Sequence, residues 1–336
     1  MGWPWQAAAV RFVVYGAGSI GGVVGGRLAQ HGHDVVLIAR GEHLLAIRSR
    51  GLRLQDASGE HTLPIPAVAH PREVDWHGDE MCLVTVKSQH TAGVLTDLAG
   101  VAPVQVPVVC LQNGVRNEHE ALRRFVHVYG VPVACPTAYL QRGVVQAFSA
   151  PVTGLLDVGR FPGGVDETAT ALAAAFAGSG FDARPIGDVG RWKWRKLVTN
   201  LGNAVEAVCG PPARRGPIGQ RAAEEGEAVL ARVGIDAATA KEDAARRGEL
   251  LHLHPVAGRS RGGGSSWQSL ARGAGSIETD YLNGEIVLLG RLHGVTTPVN
   301  ALLQRLAAHL ISTSGTPGSV TAAEFDRLLA AATSSQ

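Results

Sequence analysis

A polar stripe runs along the otherwise apolar stretch KWRKLVTNLGNAVEAV, residues 193–208. The stretch has the composition of a single helix, and Lys196, Asn200 and Asn203 are spaced so that they share one face of it. A lysine ammonium can donate a proton to an oxygen that gains negative charge, and amide side chains can orient a carbonyl. The stripe therefore predicts residues that face a cleft. The alternative is the solvated face of an amphipathic helix, and the apolar neighbours argue against it.

A glycine motif follows the strand-like run RFVVYG at residues 11–16 and opens a helix-compatible segment. It comprises Gly16, Ala17, Gly18, Ser19, Ile20 and Gly21. In this G-x-G-x-x-G spacing, the first glycine permits a tight turn and the second lets a pyrophosphate approach the backbone. The third lets the helix pack closely on the strand, with its N-terminus facing the phosphates. The motif predicts a dinucleotide site, because a strand precedes it and a helix follows it.

Arg40 ends the second strand-like run, DVVLIAR, 19 residues after Gly21. Sites for NAD usually place an acidic residue here to hold the ribose 2′-hydroxyl. An arginine instead offers a planar, charged fork for a 2′-phosphate. The sequence therefore favours NADP (NADPH) over NAD, with an exposed arginine at a strand end as the alternative.

Polar residues follow the next two strand-like runs. Lys87 and Ser88 come after residues 80–86, and Gln112 and Asn113 come after residues 106–111. Ligands of open α/β sheets bind at the carboxyl ends of the strands. We therefore expect cofactor and substrate to meet at these positions, although the dipeptide Asn113-Gly114 is also compatible with a simple turn.

The elements that position these residues change character along the chain. β-branched runs alternate with helix-length segments in the first half, which indicates a parallel sheet covered on both faces. The stretch 52–68 has the pattern of a hairpin inserted at the sheet edge, and residues 181–186 that of a closing strand. From about residue 188 onward the segments are helix-like. The predicted fold is α/β, with a Rossmann-type NADP-binding domain at 10–188 and an all-helical substrate and catalytic domain at 189–333.

The totals exclude several classes of protein. The 336 residues include 31 basic and 29 acidic side chains, a formal net charge of +2, which argues against a nucleic-acid surface. The four cysteines form no CxxC pair, which favours reduced thiols and a cytoplasmic location. No histidine pair has convincing metal-ligand spacing, and no apolar run is long enough to span a membrane. The N-terminal residues MGWPWQAAAVRF do not resemble a signal peptide.

Five motifs occur together in a specific order: VVYGAGSIGG, VKSQHT, LQNGV, WRKLVTN and ETDYLNGEIVLLGRLHGVTTPVN. The set resembles the ketopantoate reductase (2-dehydropantoate 2-reductase) family over about residues 11–312. The resemblance implies a Rossmann domain followed by a helical domain. It also implies an NADP-dependent oxidoreductase of pantothenate biosynthesis that reduces a 2-oxo acid to a 2-hydroxy acid.

The resemblance also implies roles for single residues. Lys196 matches the catalytic lysine and proton donor, and Asn200 matches an active-site asparagine. Lys87 and Asn113 match residues at the nicotinamide and substrate end of the Rossmann domain. Glu278 matches a catalytic glutamate that faces the substrate and the lysine.

A serine that contacts the substrate carboxylate matches Ser266, with Ser265 as the alternative. Both belong to the glycine- and arginine-containing segment 258–266, for which a mobile lid and a flexible surface loop are equally compatible with the sequence. Tyr281 and Asn283 are expected to be packing and helix-surface residues. The apolar helices would allow a homodimer without requiring one.

One position departs from the family pattern. An asparagine is expected eight residues after the lysine, but Ala204 stands there, and Asn203 lies one residue early, rotated by roughly 100° around a helix. Ketopantoate, reduced to pantoate, is the leading substrate. A different carbonyl substrate, or a non-catalytic NADP(H)-binding sensor protein, is the alternative.

Overall fold

The computed structural model describes residues 10–273 and 275–334. Residues 1–9, which carry most of the segment that does not resemble a signal peptide, lie outside this part. The chain divides into two compact units. The first contains the residues up to Gly190 and the excursion Lys241–Arg261, and the second contains Arg191–Ala240 and the residues from Gly262 onward. The expected helical domain at 189–333 differs from the second unit, because the excursion groups with the first unit.

The first unit contains all the strands of the described residues. In chain order they are β1 (Arg11–Tyr15), β2 (Asp34–Ile38), β3 (Leu52–Asp56), β4 (Gly59–Leu63), β5 (Ala67–Val68), β6 (Glu80–Val84), β7 (Val108–Cys110), β8 (Val128–Gly130), β9 (Thr137–Gln141), β10 (Val144–Ala147), β11 (Ser149–Pro151), β12 (Gly159–Arg160) and β13 (Leu251–Leu253).

The helices of the described residues belong to both units. In chain order they are α1 (Ser19–Gln30), α2 (Gly41–Arg50), α3 (Thr91–Ala99), α4 (Asn117–Leu122), α5 (Glu167–Gly178), α6 (Val189–Asn200), α7 (Gly202–Cys209), α8 (Pro217–Val233), α9 (Ala240–Arg247), α10 (Ser265–Ala271), α11 (Asn283–His293), α12 (Pro298–Ser312) and α13 (Ala322–Thr333). None of them combines the length and the apolar composition that crossing a membrane requires.

The main sheet has seven strands in the order β12-β8-β7-β6-β1-β2-β5. All its neighbouring strands pair in parallel except β12, which is antiparallel to β8. From β1 the chain runs first to β2 and β5 on one side and then to β6, β7 and β8 on the other. The strand order therefore reverses between β1 and β6, and ligands of such sheets bind at this switch point.

The main sheet is buried on both faces, as its continuous apolar runs predict. One face packs in a core that includes Val14, Leu83 and Phe176, and the other packs in a core that includes Val13, Cys82 and Leu98. Helix α1 lies on the first face and α3 on the second. The predicted α/β class is confirmed.

A second sheet, β4-β3-β10-β9, packs against α1. The predicted hairpin is present, with β3 and β4 antiparallel from Leu52 opposite Leu63 to Asp56 opposite Gly59. Within the stretch 52–68, β5 does form the edge strand of the main sheet, beside β2. The hairpin does not lie on that edge, because β3 also pairs in parallel with β10. The hairpin is therefore half of a separate sheet, which covers the outer side of α1.

The strand expected at residues 181–186 is not formed. The segment makes isolated bridges only, between Leu155 and Asp182 and between Val158 and Pro185. A continuous ladder would pair the Arg184 amide with the backbone of the neighbouring segment, but this amide donates to the Asp157 side chain at 3.2 Å, which interrupts the pairing.

The helical unit contains α7, α8 and α10 to α13, together with α6 from Arg191 onward. The helix expected to be continuous over residues 193–208 is broken, because α6 ends at Asn200 and α7 begins at Gly202. Leu201 between them keeps helical dihedral angles. Glycine weakens a helix interior by about 1 kcal/mol relative to alanine, which favours a break beside Gly202.

The helix-like stretch at residues 237–253 is only partly helical. Helix α9 ends at Arg247, and residues 251–253 form β13, which pairs antiparallel with β11. Arg246 of α9 donates hydrogen bonds of 2.6 Å to both Asp157 and Asp182. These contacts attach the excursion to the first unit.

Candidate active site

The glycine loop joins β1 to α1 at the carboxyl end of the main sheet. Gly16 has a φ angle of +111°, a conformation that side chains disfavour. Its amide donates to the Ile38 carbonyl at 3.0 Å, and the Thr85 hydroxyl donates to its carbonyl at 2.7 Å. Since Ile38 ends β2 and Thr85 follows β6, the loop is attached to both strands that flank β1.

The loop has no space for a side chain at Gly21 but has open space beside Gly18. A Cβ atom at Gly21 would lie 2.2 Å from the Gly16 carbonyl oxygen and 2.3 Å from Thr85 Oγ1, so a side chain does not fit. A Cβ atom at Gly18 would meet no heavy atom within 4 Å. Gly18 is the N-cap of α1, and the first turn of this helix carries no acidic residue. The amides of such a turn attract phosphate, and the loop therefore fits a dinucleotide pyrophosphate.

The other residues of the motif contribute to the same turn. Ala17 is buried, and Ser19 and Ile20, which open α1, are half-buried. Arg40 lies beyond β2 as the N-cap of α2, with 70% of its side chain exposed. Its Nη2 atom is 3.8 Å from Asp97 Oδ2. The exposed guanidinium can reach a ligand at the end of β2.

A hydrogen-bond network supports the residues that follow β6 and β7. Lys87 and Asn113 are half-buried at these two strand ends. The Asn113 carbonyl accepts hydrogen bonds from Ser88 Oγ at 3.1 Å and from Asn117 Nδ2 at 2.8 Å. The segments after β6 and β7 are thereby linked at the switch point.

Gln112 extends this network into the core. Its Nε2 atom donates to the Val86 carbonyl at 2.7 Å and to Thr91 Oγ1 at 2.8 Å. The Thr91 hydroxyl donates in turn to Asn117 Oδ1 at 2.8 Å. Gln112 lies beyond a strand as predicted, but it is buried and acts by holding the strand ends together.

His43 contacts the glycine loop at Ala17, a role that no sequence pattern predicted. The ring is buried, with Nε2 at 2.6 Å from the Ala17 carbonyl. Its Nδ1 atom accepts a hydrogen bond of 2.8 Å from the Gly143 amide, between β9 and β10. The ring is therefore the neutral tautomer that carries its proton on Nε2. Burial lowers the pKa of His43, partly opposed by the bond to Ala17.

We expect the His43 environment to make the protein less stable in mild acid. Because the pKa of His43 is lowered in the folded state, the unfolded chain binds the proton more readily. The free energy of unfolding therefore decreases as pH falls through about 6.5, the ordinary histidine value, toward the folded-state pKa. Urea unfolding is measured at a pH above this range and at a pH below it. The decrease in the free energy of unfolding between the two should be smaller for His43→Gln than for the unchanged protein. An equal decrease in both would contradict the assignment, and the exposed His293→Gln is the control.

In the helical unit, Lys196 and Asn200 share one face of α6. Lys196 is half-buried, and Asn200, one turn later, is 4% exposed. Asn203 is also buried but lies on α7, beyond the break. The three residues are thus carried by two consecutive helices.

The start of α10 lies against α7. Asn203 Nδ2 is 3.4 Å from Ser265 Oγ, and Ser266 beside it is buried. A Cβ atom at Gly264 would lie 2.6 Å from Glu206 Oε2, so the Glu206 carboxylate would have to shift if this position carried a side chain. The structure therefore brings the predicted Asn203 together with the segment that carries Ser266.

An ion pair that was not anticipated from the sequence borders this contact. Arg214 Nη1 donates to Glu206 Oε2 at 2.9 Å, and the Glu206 side chain is 7% exposed. The guanidinium also lies 2.9 Å from the position of a Cβ atom at Gly264. The pair therefore lies directly against Gly264, at the start of α10.

Glu278 lies at the start of a 3-10 turn, Thr279–Tyr281, that leads into α11, and it is 9% exposed. Asn283, at the first position of α11, is fully buried rather than on the helix surface as expected. Its Nδ2 atom donates to the Leu201 carbonyl at 3.2 Å. The segment that carries Glu278 is thereby joined to the junction that follows Asn200.

Asn283 belongs to a buried amide pair. Its Nδ2 atom also donates to Asn300 Oδ1 at 2.9 Å. The backbone N–H of Asn300 donates to Glu225 Oε2 at 2.9 Å. Glu225 therefore caps the N-terminus of α12, and burial raises its pKa. These bonds fix the starts of α11 and α12 relative to the α6–α7 junction.

The segment 258–266 has little regular structure before α10 begins at Ser265. Gly263 has a φ angle of +39° and packs against the Trp267 ring. A lid and a surface loop both stay predictions for this segment. The assignments of all the predicted site residues likewise stay predictions.

Comparison with known proteins identifies the class to which this arrangement belongs. The family model described as ketopantoate reductase PanE/ApbA matches residues 12–158, and the model of that family's C-terminal domain matches residues 188–310. A 2-dehydropantoate 2-reductase of Halobacterium salinarum is 30% identical over 304 residues, covering 86% of this chain and 95% of that protein. One of Archaeoglobus fulgidus is also 30% identical, covering 88% and 96%.

Solved structures share the fold over most of the chain. A PanE/ApbA family ketopantoate reductase from Ralstonia eutropha JMP134 is 29% identical with a TM-score of 0.76, covering 91% of this chain and 99% of that one. A D-mandelate dehydrogenase, solved with NADH and anilino(oxo)acetate, has a TM-score of 0.77 at 23% identity with the same coverage and shows the fold alone. The chain belongs to the ketopantoate reductase family, a family of oxidoreductases.

Proposed function

We propose that this protein uses NADPH to reduce a 2-oxo acid to a 2-hydroxy acid, with ketopantoate as the leading substrate. The observation that carries the proposal is the half-buried Lys196 one turn ahead of the buried Asn200, in a chain whose first unit has a dinucleotide loop. Relatives that match most of the chain are named 2-dehydropantoate 2-reductases.

The first unit holds the cofactor in this proposal. The glycine loop receives the pyrophosphate in the open space at Gly18, and Arg40 binds the 2′-phosphate. Lys87 and Asn113 border the nicotinamide end, at the switch point of the sheet. When bound, the nicotinamide supplies the hydride that the protein itself cannot supply.

The helical unit supplies the proton and the orientation of the substrate. Lys196 Nζ donates its proton to the carbonyl oxygen of the 2-oxo acid as negative charge develops there. Asn200 donates a hydrogen bond to the same part of the substrate, and Glu278 orients the lysine ammonium. Ser266 binds the substrate carboxylate, and the Asn203 contact to Ser265 supports its position.

The second candidate function is the reduction of a different carbonyl substrate. The packing of α7 supports this candidate. Ala204 occupies the position of the expected asparagine and is 1% exposed, so it offers no polar group to a ligand. Asn203 is held by Ser265 at the start of α10. A distal hydroxyl of the substrate would therefore meet different partners from those of the family pattern.

A steady-state assay tests both candidates. NADPH oxidation is measured with ketopantoate and then with a panel of 2-oxo acids at the same enzyme concentration. Efficient turnover of ketopantoate would support the leading candidate, and turnover of another member alone would support the second. NADPH binding without turnover of any carbonyl would contradict both and indicate a sensor protein.

We expect Arg40→Asp to weaken NADPH binding more than NADH binding. The substitution replaces a cation beside the 2′-phosphate with an anion, whereas the ribose of NADH carries no charge at that position. We expect the ratio of the NADPH to the NADH dissociation constant, measured by cofactor fluorescence, to rise by at least about tenfold. Equal losses of affinity for NADPH and NADH in the Arg40→Asp variant would contradict the 2′-phosphate assignment.

A cytoplasmic location and a homodimer remain predictions. All four cysteines are free thiols in the structure, and Cys82 and Cys110 are buried in the main sheet. Reduced thiols are typical of cytosolic proteins.

A further inference from the structure

An acidic side chain lies beside the arginine that we assign to the 2′-phosphate. Asp97 is on α3, the helix that follows β6, and its side chain is 36% exposed. Its Oδ2 atom is 3.8 Å from Arg40 Nη2. The pattern of residues after β2 gave no indication of this carboxylate, because Asp97 is 57 positions later in the chain.

Asp97 is held in place through one of its two oxygens. The Tyr15 hydroxyl, at the end of β1, donates to Oδ2 at 3.1 Å, and His70 Nε2 lies 3.7 Å from the same atom. Burial, with a contribution from Asp97, raises the pKa of Tyr15 to about 12, so the phenol remains a donor at neutral pH. The other oxygen, Oδ1, has no hydrogen-bond partner among the described residues.

This arrangement places an acceptor and a donor next to each other where the adenosine ribose is expected. A 2′-hydroxyl is a hydrogen-bond donor, and carboxylates at such sites accept from it in NAD-dependent proteins. A 2′-phosphate carries negative charge instead, and a carboxylate a few ångströms away repels it. Asp97 also offsets part of the charge of Arg40.

We propose that Asp97 is a second determinant of cofactor choice, which favours NADH and limits the preference for NADPH that Arg40 creates. Its free oxygen accepts a hydrogen bond from the 2′-hydroxyl of NADH, and its charge opposes the 2′-phosphate of NADPH. The inference rests on the dinucleotide site of the proposed function.

The test is direct binding of the two cofactors, without turnover. Dissociation constants for NADPH and NADH are measured by fluorescence for the unchanged protein and for Asp97→Asn. We expect the ratio of the NADH to the NADPH constant to rise by about tenfold, at low salt where exposed charges are least screened. Asp97→Ala should shift the ratio in the same direction, which shows that the lost charge, and not a new amide donor, is responsible.

Asp34→Asn is the matched control. Asp34 is also a partly exposed aspartate paired with an arginine, Arg11, but it lies at the amino end of β2. This variant should leave the ratio unchanged. If the ratio is unchanged in both Asp97 variants, because neither dissociation constant changes or both change by the same factor, the inference is overturned and the dinucleotide site stays intact. Failure of the unchanged protein to bind either cofactor would overturn the proposed function, and the inference with it.

Discussion

Replacing Lys196 with alanine is expected to reduce kcat with the best 2-oxo acid by at least about a hundredfold, the usual scale for a positioned proton donor. Alanine leaves the carbonyl oxygen without a donor and without a cation as its charge develops. The cofactor loop is in the other unit, so the dissociation constant for NADPH should stay near its original value. The measurement is steady-state NADPH oxidation, with NADPH binding determined in parallel.

Two further variants separate proton donation from charge. Lys196→Arg keeps a positive charge but is a poor proton donor, because the guanidinium stays protonated. It should therefore recover little of the lost rate. Lys241→Ala removes an exposed lysine of α9 and should leave kcat unchanged. Near-normal turnover by Lys196→Ala would refute the assignment of this residue as the donor.

The second large effect is expected at Gly21. An alanine methyl there would lie 2.2 Å from a backbone oxygen of Gly16, and the backbone cannot move aside without opening the loop. We expect Gly21→Ala to lower the free energy of unfolding by about 3 kcal/mol or more, at or beyond the upper end of overpacking costs. Cofactor binding should be lost with it.

Gly18→Ala provides a matched comparison within the same loop. A methyl group at Gly18 meets no protein atom within 4 Å, so stability should change little. It would occupy the space through which the pyrophosphate approaches, and NADPH binding should weaken at least about tenfold. Urea unfolding and cofactor titration of both variants test the distinction. A stable Gly21→Ala protein, or a Gly18→Ala protein that binds NADPH normally, would contradict this account of the loop.

The parts of the fold that could be predicted are those where local chemistry and burial agree. The glycine loop, the strands buried on both faces and the helix that carries Lys196 each have a pattern that few other structures satisfy. Short segments with competing possibilities were predicted less well. The second sheet depends on β3 pairing with β10, about 90 residues later, and no local pattern records such a pairing.

The supporting residues of the candidate site were harder to predict than its polar groups. His43 and Asn283 look like ordinary helix residues in the sequence, and only the fold shows that each is buried against a backbone carbonyl of a predicted site segment. Glu206 and Arg214 are eight residues apart, and their pairing depends on how the chain turns after α7. Such contacts are set by tertiary packing, which a single sequence does not encode in its spacing.

The excursion Lys241–Arg261 has a consequence for how the protein is synthesised and folds. The first unit is incomplete until the ribosome has passed residue 261. Before then β11 cannot pair with β13, and the buried Asp157 lacks its ion-pair partner Arg246. A chain released at Gly190 would leave a strand edge unpaired and a buried carboxylate without this partner. The first unit is therefore completed only after α6 to α9 have been synthesised, because all four helices precede β13 in the chain.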